Sequence, residues 1–245
     1  MPETSPVARP PLSREPRAVP ASHAIAWFTE AMRLWKRGPL TFVAMAVVVL
    51  LASVGAEPIP IAGFVAANVV APLLACGLLY ASLAADRDGR PRFMHIFAVF
   101  AAPLAAQASV VLAGFVALAI EAFVAYSVAD VNILMPIKDV TTLPEGALFT
   151  IYAAGALATV PVTFVPMAAL FDGESIGRAF AVSLRACALN VVPLLLLAAY
   201  SFGLILLGLA SMGIGLLLAF PWIAAASYAA WKDVFGLAET SEIAR

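Results

Sequence analysis

Charged residues are missing from five long stretches of the chain, 38–56, 58–85, 93–120, 146–171 and 186–231. A helix needs about 20 apolar residues to cross the hydrocarbon of a bilayer, so each of the first four stretches predicts one spanning helix. The fifth is long enough for two and is interrupted at Ser211-Met212-Gly213-Ile214-Gly215. The pattern predicts six transmembrane helices, near 40–56, 62–84, 101–127, 147–170, 190–209 and 213–231. The first is short and is closed by Glu57-Pro58-Ile59-Pro60, which predicts a tight turn. A re-entrant first pair is the alternative.

The segments between these stretches are patterned too. Ile25, Phe28, Met32 and Trp35 recur at three- and four-residue spacing, between Ser22, a predicted N-cap, and the stop signal Gly38-Pro39. His23, Glu30, Arg33, Lys36 and Arg37 fall mainly off that stripe, as in an amphipathic helix lying in the membrane interface. A second such segment follows Asp172-Gly173-Glu174-Ser175, with stripe Ile176, Phe180, Leu184 and Cys187. A weaker counterpart is Arg92-Phe93-Met94-His95-Ile96-Phe97. Each even-numbered span carries a proline roughly three turns before its end: Pro72 before Asp86, Pro161 before Asp172, and Pro221 before Asp233. The chain thus reads as three copies of one unit: surface segment, helix, turn, kinked helix. Such repeats either frame a site at their interface or only build a compact bundle. The second reading is preferred here, because no cluster of polar residues stands out within the spans.

Composition fixes the class. Of 245 residues, 63% are hydrophobic and 12% charged, and mean hydropathy is +0.99. A soluble fold of this size has too little interior to hide that much apolar surface. The expected fold class is an all-α membrane protein, with six spans as three hairpins and cytoplasmic interfacial helices. Residues 1–21, rich in Pro and Arg and lacking an apolar run, read as a disordered tail and not a secretory signal. The membrane domain covers 22–236, and a short tail covers 237–245. Of the fourteen Lys and Arg, all but Lys138 fall on one side of the six-span arrangement. The positive-inside rule therefore places both termini in the cytoplasm. A net charge of −1 leaves no basic field for nucleic acid. Cys76 and Cys187 stand apart, without a nearby ligand set, and read as small buried hydrophobes.

Candidate chemistry is sparse. Glu121 is the one acid embedded in an apolar stretch, and burying a carboxylate in hydrocarbon is costly enough to mark function. Its predicted distance from the outer end of its helix is only about 9 Å, at 1.5 Å per residue, so snorkelling also accounts for it. Gln107, Asn68 and Asn190 are the other strong polar groups within the spans, and all are expected to bond across helices. Asp86 and Asp88 can pair as acid and base near His95, but suit a solvated turn with Arg90 and Arg92 better. No zincin, nucleophile-elbow or phosphate-loop pattern occurs. Arg33, Lys36, Arg37, Arg92 and Arg185 are positioned to meet anionic lipid headgroups. Trp27, Trp35, Tyr80, Tyr126, Tyr152, Trp222, Tyr228 and Trp231 are expected to form an interfacial belt.

Three stretches carry a resemblance. They are Ser22-His23-Ala24 to Trp27 with Arg33-Leu34-Trp35-Lys36-Arg37-Gly38-Pro39-Leu40, Phe171-Asp172-Gly173-Glu174-Ser175 with Ser183-Leu184-Arg185-Ala186-Cys187, and Tyr228-Ala229-Ala230-Trp231-Lys232-Asp233-Val234-Phe235. Over about 22–236 the chain resembles a family of uncharacterised polytopic inner-membrane proteins of Gram-negative bacteria. It is more distantly similar to the membrane half of some glycerophosphodiester phosphodiesterases, without their catalytic barrel. The resemblance implies an inner-membrane location and carries no catalytic residues. The Pro-rich stretch 1–21 departs from the family's shorter start.

The sequence therefore leads to a non-enzymatic inner-membrane protein with a structural, regulatory or envelope-maintenance role and no cofactor. Its expected partners are the lipid bilayer, anionic headgroups, and a membrane protein or a second copy. The alternative is a small transporter or lipid-handling protein with a site between the hairpin repeats. A polar cavity reaching the midplane, lined by Asn68, Gln107 or Glu121, distinguishes the alternative. A cleft holding Asp86, Asp88 and His95 marks an enzyme.

Overall fold

In a computed structural model of the protein, residues 15–54, 60–134, 144 and 146–237 are described. The turn expected at 57–60 lies largely outside them, as do Lys138, Asp139 and Glu145, residues 1–14 and residues 238–245. Among the described residues the chain is helical and has no strand. The elements in order are α1 His23–Trp35, α2 Pro39–Val54, α3 Pro60–Val65, α4 Ala71–Asp88, α5 Leu104–Ala129, α6 Ala147–Thr159, α7 Val165–Leu170, α8 Ile176–Leu189, α9 Val191–Ala210 and α10 Leu216–Val234. A π-helical turn, Ala66–Val70, joins α3 to α4. A 3-10 helix, Phe93–Ala101, precedes α5, and another, Val160–Val162, joins α6 to α7.

Four of these helical runs are long and apolar enough to cross a membrane: Ala62–Asp88, Leu104–Ala129, Ala147–Leu170 and Val191–Ala210. A fifth is reached if α1 and α2, bent by 104° at their junction, count as one broken span. Only 22–44% of each apolar window is buried inside the protein. Water would solvate the remainder at a large cost in apolar area, whereas lipid tails would not. The protein is thus an all-helical chain of membrane character.

The predicted boundaries shift where proline acts. The helix expected to begin near 101 begins at Leu104, because residues 93–101 take the tighter 3-10 form and Pro103 starts the α-helix anew. Pro72 follows the π-helical turn, and Pro161 sits inside the short 3-10 segment. In both places a missing N–H is absorbed by changing helix type. Pro221 lies inside α10. Ser22 makes no side-chain cap. The start of α1 is held instead by backbone bonds from His23 N–H to the Pro20 carbonyl (3.0 Å) and from Ala24 N–H to the Ala21 carbonyl (3.2 Å).

The core gathers around α4 and α10, which pack on each other, on α1 and on α2. The 3-10 segment 93–101 lies so close to α4 that a Cβ at Gly77 would stand 2.3 Å from the Ile96 Cα. Only glycine permits that approach. Aromatic rings cluster where α4, α10 and the end of α7 meet: Phe171 meets Tyr80 at 5.1 Å and Trp231 at 5.5 Å between centroids. Trp27, Tyr228 and Trp231 are buried in this core, so these three are not belt residues.

Residues 15–20, expected to belong to the disordered tail, are docked. Arg17 N–H donates to the Val234 carbonyl (2.9 Å), Val19 N–H donates to Asn190 Oδ1 (2.8 Å), and Asn190 Nδ2 donates to the Arg17 carbonyl (2.9 Å). Prolines leave this segment few donors and hold it extended, and Asn190 satisfies groups on both sides of Ala18.

Candidate intramembrane site

Glu121 is on α5 two turns before the helix ends at Ala129, about 12 Å along the axis. That is deeper than the sequence placed it, because α5 continues past 127. The side chain does not run outward to the interface. It lies across α6 against Gly155, where a Cβ would stand 1.6 Å from Glu121 Oε1. The absence of a side chain at 155 is what admits the carboxyl. Among the described residues, no hydrogen bond reaches that carboxyl.

The carboxyl faces a cavity of about 320 Å³ between α6, α9 and α10, lined also by Gly155, Thr159, Thr163, Ser201 and Ser227. Tyr152 and Leu209, both roughly half exposed, stand at its edge. The cavity therefore opens to the outside of the bundle, between α6 and α9. The Phe149 and Phe202 rings meet edge to face at 5.4 Å across that gap. A second chamber of about 410 Å³ lies towards α4, lined by Pro72, Cys76, Val110, Gly114 and Phe220. The two chambers share Thr159, Thr163, Ile205, Ile223 and Ser227. Thr159 and Thr163 donate their hydroxyls to carbonyls of their own helical run (2.7 and 2.9 Å). They turn only lone pairs to the cavity.

Asn68 and Gln107 are elsewhere. Asn68 donates to the Phe64 carbonyl one turn back (3.0 Å), and Gln107 donates to the Ala102 carbonyl (2.9 Å). Both repair backbone groups exposed where helix type changes, Gln107 reaching also the Phe100 carbonyl of the preceding 3-10 helix (3.5 Å), and neither lines either chamber. Asn190, also expected to bond across helices, holds the N-terminal segment and the Ala186 carbonyl.

The paired acids separate. Asp86 is not in a solvated turn: it accepts from Arg33 (3.0 Å), Tyr228 Oη (3.0 Å) and Lys232. Asp88 is exposed at the end of α4. His95 Nδ1 accepts from the Arg92 backbone N–H (3.1 Å), and burial lowers its pKa from the ordinary value. Asp86, Asp88 and His95 thus do not converge on one cleft. Asp233, just past the predicted end of the last span, binds His23 Nδ1 (2.7 Å) and Trp27 Nε1 (2.9 Å). Burial opposes its ionisation, but the hydrogen bonds from His23, Trp27 and Arg17 outweigh this and hold the carboxyl below the usual range. Burial, reinforced by the Glu174 carboxylate, pushes the Asp172 carboxyl up to about 7.

Three of the five basic residues expected at lipid headgroups are engaged by protein. Arg33 binds Glu30 and Asp86, Arg37 donates to the Ala85 and Asp86 carbonyls, and Arg185 pairs with Glu15 at 3.1 Å. Lys36 and Arg92 stand exposed.

Sequence reasoning missed Gly155, Ser201 and Ser227. One signal was present: Gly155, Thr159 and Thr163 are spaced by four, a small-residue stripe of the kind that lets helices approach or opens a face. Compared with protein-family models, curated proteins and solved structures, the chain matches none, so a functional reading rests on its own geometry.

Proposed function

We propose that the chain is a non-enzymatic multi-pass protein of the bacterial inner membrane that holds a lipid-like amphiphile between its helical hairpins. In this reading α2 and α10 complete six spans arranged as three hairpins, with both termini in the cytoplasm. The bias of basic residues to one side supports that topology, and the family resemblance of 22–236 supports the location. The observation that carries the function is the cavity between α6, α9 and α10, apolar in most of its lining and bearing Glu121, which has no hydrogen-bond partner among the described residues. Its volume falls at the low end for small-molecule sites, and the adjoining chamber of about 410 Å³ lies in the same range. The second reading, a structural or envelope-maintenance scaffold, is favoured by a different observation. The outer face of α1 and the neighbouring α9 form an open apolar groove of about 760 Å³, lined by Ile25, Phe28, Met32, Tyr200, Leu207 and Trp222.

The two readings separate by purifying the protein in nanodiscs and identifying retained amphiphiles by native mass spectrometry. Lipid handling predicts a stoichiometric amphiphile, lost when Ser201→Phe fills the cavity while the helical circular dichroism is kept. Retention equal in the two proteins, or no amphiphile above the bilayer background, removes the cavity reading and leaves the scaffold.

A further inference from the structure

We infer that the Glu121 cavity selects single-chain amphiphiles whose head donates hydrogen bonds and carries no negative charge, such as a long-chain amine or alcohol. The inference rests on the lipid-handling reading and narrows its ligand. Among the described residues, Glu121 is the only acidic one lining the two chambers, and no Lys, Arg or His lines either of them. An anionic head would meet the Glu121 carboxyl with no cation beside it, so it must either face a like charge or enter only with that carboxyl protonated. The two threonines point the same way. The hydroxyls of Thr159 and Thr163 are spent on carbonyls of their own helical run and offer only acceptor positions. Ser201 and Ser227 make no hydrogen bond among the described residues, and each can accept one from a donating head or donate one to it.

A head that donates is thus met by acceptors from three sides: α5 through Glu121, the α6 run through Thr159 and Thr163, and α9 and α10 through the serines. The chain of the ligand has its own place. The second chamber contributes Cys76, Val110, Phe220 and Met167 and, among the described residues, no charge, and a chain that enters it from the first passes between the side chains that line both. The entrance is the gap between α6 and α9, bridged by Phe149 and Phe202. Rotation of either ring opens it to the bilayer without breaking a hydrogen bond.

The test uses three probes of one chain length: dodecylamine, 1-dodecanol and dodecanoate. The full chain is held in zwitterionic phosphatidylcholine nanodiscs, and bound probe is counted by native mass spectrometry. The amine and the alcohol are expected to bind at least about tenfold more tightly than dodecanoate, a ratio set by like-charge repulsion at Glu121. Glu121→Gln, which keeps the size of the side chain, is expected to bring dodecanoate close to dodecylamine while 1-dodecanol still binds. Dodecanoate binding the native protein as tightly as dodecylamine overturns the ligand class and leaves lipid handling standing. An unchanged ratio in Glu121→Gln does the same. Failure of all three probes to bind overturns the inference and the lipid-handling reading together. The native-protein comparison decides without the variant, should Glu121→Gln fold poorly.

Discussion

Glu121 and Gly155 form a coupled pair, since the carboxyl occupies the volume that a Cβ at 155 would take. Gly155→Ala alone forces α5 and α6 apart or expels the carboxyl, and overpacking of this kind costs about 1–3 kcal/mol. With Glu121→Ala the obstacle is gone, and alanine is the better helix former by about 1 kcal/mol. The expected outcome is a lowered unfolding midpoint for Gly155→Ala in detergent, restored to native or above in the double variant. A double-mutant cycle on thermal melts measures the coupling; additive effects would show that the side chains do not meet. Neither residue announces this in the sequence. Glu121 is conspicuous as an acid in an apolar run, but α-helical periodicity does not say which neighbouring helix its side chain crosses.

Three surface elements share one design. α1 buries Ala24, Trp27, Ala31 and Leu34, and leaves Ile25 at 60% exposed with Phe28 and Met32 partly so. The 3-10 segment buries Ile96 and Val99 and exposes Phe93, Met94, Phe97 and Phe100. α8 buries Ala179, Ser183 and Ala186 and exposes Leu184. Two faces of each element are thus apolar or small, one turned to the bundle and one turned away. The stripes read from the sequence in α1 and α8 are the outward ones; the inward face of α8 escaped notice because alanine and serine carry little hydrophobic signal, whereas that of α1 also carries Trp27 and Leu34. Large outward side chains are costly in water and favourable at the boundary of headgroups and acyl chains. Nitroxide labels at Ile25 and Met94 are therefore expected about 5–10 Å below the headgroup level in accessibility measurements. Water-like accessibility at both positions would remove the interfacial placement.

At the scale of the whole molecule, the proposed six-span topology predicts where reporters act. Alkaline phosphatase fused after Asp139 should be active, and green fluorescent protein fused after Arg245 should fluoresce. A cytoplasmic signal at Asp139 would end the six-span arrangement. The sequence by itself determined that the chain is helical and membranous, and where its long apolar helices lie. Spans expected at 62–84, 147–170 and 190–209 stand against Ala62–Asp88, Ala147–Leu170 and Val191–Ala210. This was legible because a helix satisfies its backbone within itself, so its existence in hydrocarbon depends on local apolar content alone. Tertiary structure alone decided what the polar residues do. Asp86 pairs with Lys232, Trp27 donates to Asp233, and Asn190 holds Arg17 and Val19. Each of these contacts joins residues more than 140 positions apart, where no periodicity carries information. The cavity belongs to the same class. It exists because α6 and α9 meet only loosely beside Gly155 and the serines, and space left between helices is a property of their packing, not of any one of them.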